Sequence, residues 1–216
     1  MNVFRTLDRL LRHPDESHEL NPAALLAAAV LCYVLYGTAS GFFQGGWSIG
    51  VAVMKVPLII LGSLVLCLPS LYVFTALAGA EYTPREFATV IAGFCGVAGL
   101  LLLALMPVVW LFSVSTLSLP FIVWLHVLVW LVTLAFGQRY LSRRARGAQG
   151  AIGVWMVLLF FVSLQMTTYV RPVLWRDAND ALFATEKKSF FGHLSDVSEW
   201  RPTPTPGAAA APARPR

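Results

Sequence analysis

The sequence predicts an all-α protein: a polytopic bundle of about five transmembrane helices, with an N-terminal amphipathic helix and a disordered Pro/Ala-rich C-terminal tail. Two observations carry this. Only 12% of the 216 residues are charged while 57% are hydrophobic, whereas a soluble domain uses about 25% charged residues to cover its outside. The apolar residues also gather into blocks free of charge, at 22–54, 56–80, 87–138 and 147–170. A helix needs about 20 apolar residues to cross a hydrocarbon core about 30 Å thick. The first, second and fourth blocks hold one span each, and the third is long enough for two.

Residues 1–20 form the first segment. Val3, Phe4, Leu7, Leu10 and Leu11 recur at helical spacing, and Arg5, Arg9 and Arg12 line another face. Such a helix suits the membrane interface, with its arginines toward acidic headgroups. It equally suits packing on the protein's own cytoplasmic loops. It ends at Pro14, and its acids (Asp8, Asp15, Glu16, Glu19) do not fit a secretory signal.

The five-span region covers 21–172. The first span opens at Asn21-Pro22, an N-cap followed by proline at the first helical position, and runs to about Gly41. QGGW then marks a turn, and 48–54 reads as a shallow lead-in. The second span, from near Val56 to near Ala80, has Lys55 at its mouth and Pro57 in its first turn, where a missing N–H costs nothing. Lys55 then snorkels to the surface as an anchor, or pairs with Arg171 to grip an anionic headgroup or partner carboxylate. Pro69 lies twelve residues beyond Pro57, about 18 Å deeper. It removes the donor for the Val65 carbonyl and predicts a kink, with Ser63, Ser70 or Cys67 available to satisfy the backbone.

Thr83-Pro84-Arg85-Glu86 is a capping box with proline at N1 and fixes the start of the third span. That span carries Gly93, Gly96 and Gly99, small residues that let another helix approach closely, a neighbouring span in preference to another chain. Pro107 predicts a second kink. The fourth span runs from about Ser118 to Phe136, and the loop GQRYLSRRARGAQG follows with Arg139, Arg143, Arg144 and Arg146. The fifth spans about 151–170. Beyond it, 173–200 is a short polar segment with room for helix. Residues 201–216, RPTPTPGAAAAPARPR, cannot bury enough apolar surface to fold.

Lysine and arginine counts orient the chain. The N-terminal segment and the second and fourth loops carry eight basic residues, and the first and third loops carry one. The positive-inside rule then places the N-terminus in the cytoplasm, and five spans place the C-terminus in the periplasm of a bacterial inner membrane.

Chemistry-bearing motifs are sparse. The intramembrane polar residues are His126 and Gln165, and an ionisable group at depth is a functional hypothesis by default. A neutral histidine bonded to a neighbouring helix, or to Gln165, is the plainer reading. No acid lies inside a span, which argues against a carboxylate relay for coupled transport. The sequence has no HExxH, GxSxG, Walker-type or GxGxxG motif, so no enzyme activity, cofactor or nucleic-acid partner is expected. Cys32, Cys67 and Cys95 lack metal-ligand spacing and read as small core residues.

MKVPLIILGSLVLCLPSLYVFTALAG, followed later by QMTTYVRPVL, resembles a set of bacterial polytopic membrane proteins and is loosely similar in arrangement to the Yip1 family. The resemblance implies a five-span scaffold with a cytoplasmic N-terminus and no reaction. It nominates Lys55, Pro57, Pro69, Tyr72, Arg171 and Pro172. The function expected is a non-catalytic scaffold or accessory subunit of a membrane complex, with the lipid bilayer and a membrane protein as partners. The alternative is a small transporter or channel with a polar path near Pro69, His126 and Gln165.

Overall fold

The computed structural model describes residues 21–42, 48–79, 82–116, 118–144 and 149–169. They form five helices: α1 (Pro22–Gly41), α2 (Ser48–Leu77), α3 (Pro84–Ser115), α4 (Leu119–Arg144) and α5 (Gln149–Tyr169). All five are long and apolar enough to cross a membrane, so the chain is an integral membrane protein with an all-α bundle. The N-terminal segment, the turn at 43–47, Arg146, Arg171, Pro172, and the segments 173–200 and 201–216 lie outside the described residues.

Two helix starts follow the sequence chemistry. The Asn21 side chain accepts from the Ala23 N–H at 3.0 Å, and Pro22 takes the first helical position. At α3, Thr83 Oγ1 accepts from the Glu86 N–H at 3.3 Å and Glu86 Oε2 accepts from the Thr83 N–H at 2.9 Å, closing the capping box.

Two expected boundaries are corrected. Helix α2 begins at Ser48, not near Val56, so 48–54 is helix and Pro57 lies inside it. The reason is tertiary: Gly37 of α1 allows the α2 backbone to come close, and a Cβ at Gly37 would stand 2.9 Å from the Ala52 carbonyl oxygen. Helix α4 runs through Gly137 to Arg144 instead of ending near Phe136. The Phe94 ring covers Gly137, and Arg143 and Arg144 in the last turn complement the negative end of the helix dipole.

Packing is circular. Among the described residues α1 touches α2 and α3, α2 touches α5, α5 touches α4, and α4 touches α3. A ring of five successive spans must contain one parallel pair, and that pair is α1 with α3. Small residues bring it together: a Cβ on Gly99 would meet Cys32 at 3.1 Å and Ala29 at 3.2 Å. Lipid tails are as apolar as leucine, so such contacts gain van der Waals packing rather than hydrophobic transfer. Half of the α1 span is buried, which makes it the innermost helix.

Candidate functional site

The centre of the ring is filled by side chains from the helices around it. Tyr33 of α1 and Trp155 of α5 are fully buried. The Tyr33 hydroxyl donates to the Cys95 carbonyl of α3 at 2.8 Å. The Trp155 indole N–H donates to the Cys67 carbonyl of α2 at 2.8 Å. Phe94 of α3 meets Trp155 edge-on, with ring centroids 6.1 Å apart, and rests on Gly137 of α4. All five helices therefore share one contact network.

The Cys67 carbonyl also accepts from Ser70 Oγ at 2.7 Å, while Ser63 donates to Ile59. These hydroxyls are thus spent on carbonyls other than the one that Pro69 deprives of its donor, Val65. Pro69 and Pro107 both lie inside continuous helices with exposed side chains.

The glycines expected to mediate packing do so within the chain, and for two different neighbours. Gly93 faces the Tyr140 phenol of α4, Gly99 faces α1, and Gly96 is buried. Their small surfaces are taken up inside the bundle instead of being offered to another protein.

A second polar zone lies toward the end of the bundle where α1 stops and α2 starts. Lys55 is only 6% exposed, so the snorkelling expected for it gives way to burial. The earlier start of α2 is the cause, since it sets Lys55 two turns inside a helix on which α1 is closely packed. Tyr36, beside the Gly37 contact, is buried too, and its ring meets His126 of α4 edge-on at 6.1 Å. His126 Nδ1 donates to the Ile122 carbonyl at 2.8 Å. In a neutral ring with its proton held there, Nε2 is an acceptor. Among the described residues, the buried His126 Nε2, Trp130 Nε1, Ser113 Oγ and Ser163 Oγ have no hydrogen-bond partner.

Gln165 is exposed on α5 and Pro69 is exposed on α2, while His126 turns toward α1.

The opposite end is basic and aromatic. Arg85, Arg139 and Arg143 are exposed. Arg144 is half-buried, with its guanidinium 5.6 Å from the Tyr140 ring centroid. The Tyr82 hydroxyl donates to the Arg144 carbonyl at 3.5 Å, and Phe87 stacks edge-on with Tyr72 of α2 at 5.7 Å. Arg143 and Arg144 were candidates for headgroup or partner contact from the basic loop sequence; Arg143 is exposed, while Arg144 is half-buried against Tyr140. The described residues contain no cluster of three or more potential metal ligands.

No protein-family model, no curated protein and no solved structure matches this chain.

Trp155, Tyr33, Tyr36 and Trp130 belong to no motif in the sequence that marks them as central. Trp155 lies six residues into α5, a depth at which tryptophan ordinarily marks the membrane interface. Its burial depends on which face α5 turns to α2. Tyr33 and Tyr36 carried a usable signal, because two tyrosines three apart in an alanine-rich span need buried partners for their hydroxyls.

Proposed function

We propose that this chain is a non-catalytic scaffold or accessory subunit of a membrane complex. The observation that carries the reading is the central network of Tyr33, Phe94 and Trp155, whose members reach all five helices. A conduit needs a hydrated or openable centre. Here the middle is occupied by large side chains, and the two polar ones are tied to backbone carbonyls. Such an arrangement favours a rigid body that holds its outer surfaces in place.

In this reading the end carrying Arg85, Arg139 and Arg143 faces the cytoplasm of a bacterial inner membrane, as the positive-inside rule requires. The exposed arginines meet anionic headgroups or the acidic face of a partner membrane protein. The five-span, N-terminus-in arrangement is the one that the likeness to the Yip1 family implies.

The test is purification at native expression in a mild detergent, with mass spectrometry of what accompanies the chain. A stoichiometric partner that is lost from an Arg139→Ser/Arg143→Ser variant, with the bundle still folded, is the expected result. Partner-free protein that passes solute across proteoliposomes would overturn the scaffold reading in favour of transport.

A further inference from the structure

One stripe of α4 faces outward along most of the helix. Trp124, Leu128, Leu131, Ala135, Arg139 and Arg143 are all exposed, and they follow one another at steps of three or four residues, the spacing that stacks side chains on a single helix face. The other side of α4 is turned into the bundle, where Ile122, Thr133, Gly137 and Tyr140 are buried. The outward stripe thus begins with apolar side chains and ends with two arginines one turn apart. It passes from hydrocarbon to charge without leaving the lipid-facing side.

Length and support fit the same picture. Leu128 precedes Arg139 by eleven residues, about 16 Å along the helix, and one leaflet supplies about 15 Å of hydrocarbon. The charged end of the stripe is held in shape from the inner side. The Arg144 guanidinium lies 5.6 Å from the Tyr140 ring centroid, and the Arg144 carbonyl accepts from the Tyr82 hydroxyl at 3.5 Å. With the last turn of α4 braced, Arg139 and Arg143 keep the side-by-side placement of residues four apart, whose Cβ atoms are about 5–6 Å from each other. Two guanidiniums so placed reach a single phosphate group. No acid on α4 competes for them, and the acid among the described residues, Glu86, closes the capping box of α3.

The geometry points to a binding site for an anionic phospholipid on this face of α4, with the phosphate between Arg139 and Arg143 and an acyl chain along Ala135, Leu131 and Leu128. The site rests on the scaffold reading, in which the exposed arginines meet headgroups or a partner protein, and it assigns this face to the lipid. Position selects a ligand with an apolar part, because the arginines continue the stripe that meets hydrocarbon. Charge selects the headgroup: a zwitterionic one brings a cation that no acid on α4 answers, and an anionic one does not. The negative end of the helix dipole opposes an anion here, but it amounts to about half a charge against two guanidiniums. A partner protein that depends on the two arginines is then joined to them through the lipid.

The test uses the full-length chain in nanodiscs of equimolar phosphatidylglycerol and phosphatidylcholine, released into mild detergent for native mass spectrometry of the lipid it keeps. Phosphatidylglycerol should be retained over phosphatidylcholine by about tenfold or more. Arg139→Ser with Arg143→Ser should bring the two lipids close to parity, and Arg139→Lys with Arg143→Lys should keep most of the preference. Arg139→Gln with Gln138→Arg leaves the net charge unchanged but moves one arginine off the stripe, and it should lose most of the preference. All of these positions are exposed, so the unfolding midpoint should hold. Parity in the unaltered chain, or a preference that survives the double serine variant or the moved arginine, overturns the site and leaves the scaffold reading standing. Displacement of the lipid by free glycerol phosphate overturns it in favour of a soluble anion. Loss of a partner protein from the double serine variant, with the lipid preference intact, overturns it in favour of that partner. Solute passage across proteoliposomes overturns the scaffold reading instead.

Discussion

The Trp155 indole N–H donates to the carbonyl of Cys67 at 2.8 Å, two residues before Pro69 on the facing helix. A fully buried donor thus meets the turn of α2 that a proline has weakened. The contact does two things at once: it satisfies a polar atom in a low-dielectric interior and pins α5 to α2. Trp155→Phe should therefore destabilise the bundle by about 0.5–1 kcal/mol, the net value of one hydrogen bond between helices. Trp155→Ala, which also opens a cavity, should cost about 3–5 kcal/mol. Denaturant titration in mixed micelles measures both, and equal effects of the two substitutions would mean that the hydrogen bond alone matters here and the volume does not.

Gly93 and Gly137 form a reciprocal pair between α3 and α4, one covered by Tyr140 and the other by Phe94. Gly93→Ala should cost about 1–3 kcal/mol through overpacking. Tyr140→Phe should restore part of the loss, because the phenol oxygen is the atom nearest the added methyl. Gly150→Ala meets open space and should change stability by less than about 0.5 kcal/mol. Thermal unfolding of the three variants in one detergent compares them directly.

The capping box at the start of α3 sits in an exposed loop, free of packing effects. Thr83→Ala should lower stability by about 1 kcal/mol, and Thr83→Ser should restore most of it. Hydrogen exchange at the amides of 85–87 should rise in the alanine variant alone.

Tyr82 supplies a pH dependence outside the spans. Burial raises its phenol above the ordinary value, Arg144 pulls it back somewhat, and Glu86 adds to the rise. A phenol raised in the folded state holds its contribution below the unfolded value, about 10, and loses it as pH climbs through the folded one. The bundle should accordingly weaken above pH about 10, and Tyr82→Phe should blunt that alkaline loss. A Tyr82→Phe variant with an unaltered alkaline limb would assign the loss to other groups.

The odd number of spans sets the two ends of the bundle on opposite sides. Alkaline phosphatase fused after Ala181 should be active in the periplasm, and a fluorescent protein fused at the same position should stay dark. The reverse pattern would place the C-terminal segment in the cytoplasm.

Span number and helix caps were legible because they are local. Charge-free blocks are set by the cost of taking a charge into hydrocarbon, and Asn21 and Thr83 act on N–H groups two or three residues away. The start of α2 was not legible. Residues 48–54 alone are too short to cross, and only the close approach of Gly37 to Ala52 shows why the helix continues through them. Lys55 was misplaced for the same reason. A lysine before an apolar run reads as a surface anchor until a second helix covers it.

By itself, the sequence determined the membrane environment of this protein, the five spans among the described residues and where two of them begin. These follow from transfer free energy and local hydrogen bonding, which depend on composition and near neighbours. The tertiary structure alone decided the closed order of the ring, the Tyr33–Phe94–Trp155 centre and the burial of Lys55. It also set the His126 ring against Tyr36 of α1. Inside a membrane nearly every face of such helices is apolar, so the hydrophobic pattern that reveals the inner face of a soluble helix is missing. Fit between small and large side chains, and the need of a few polar atoms for partners, then choose which faces meet.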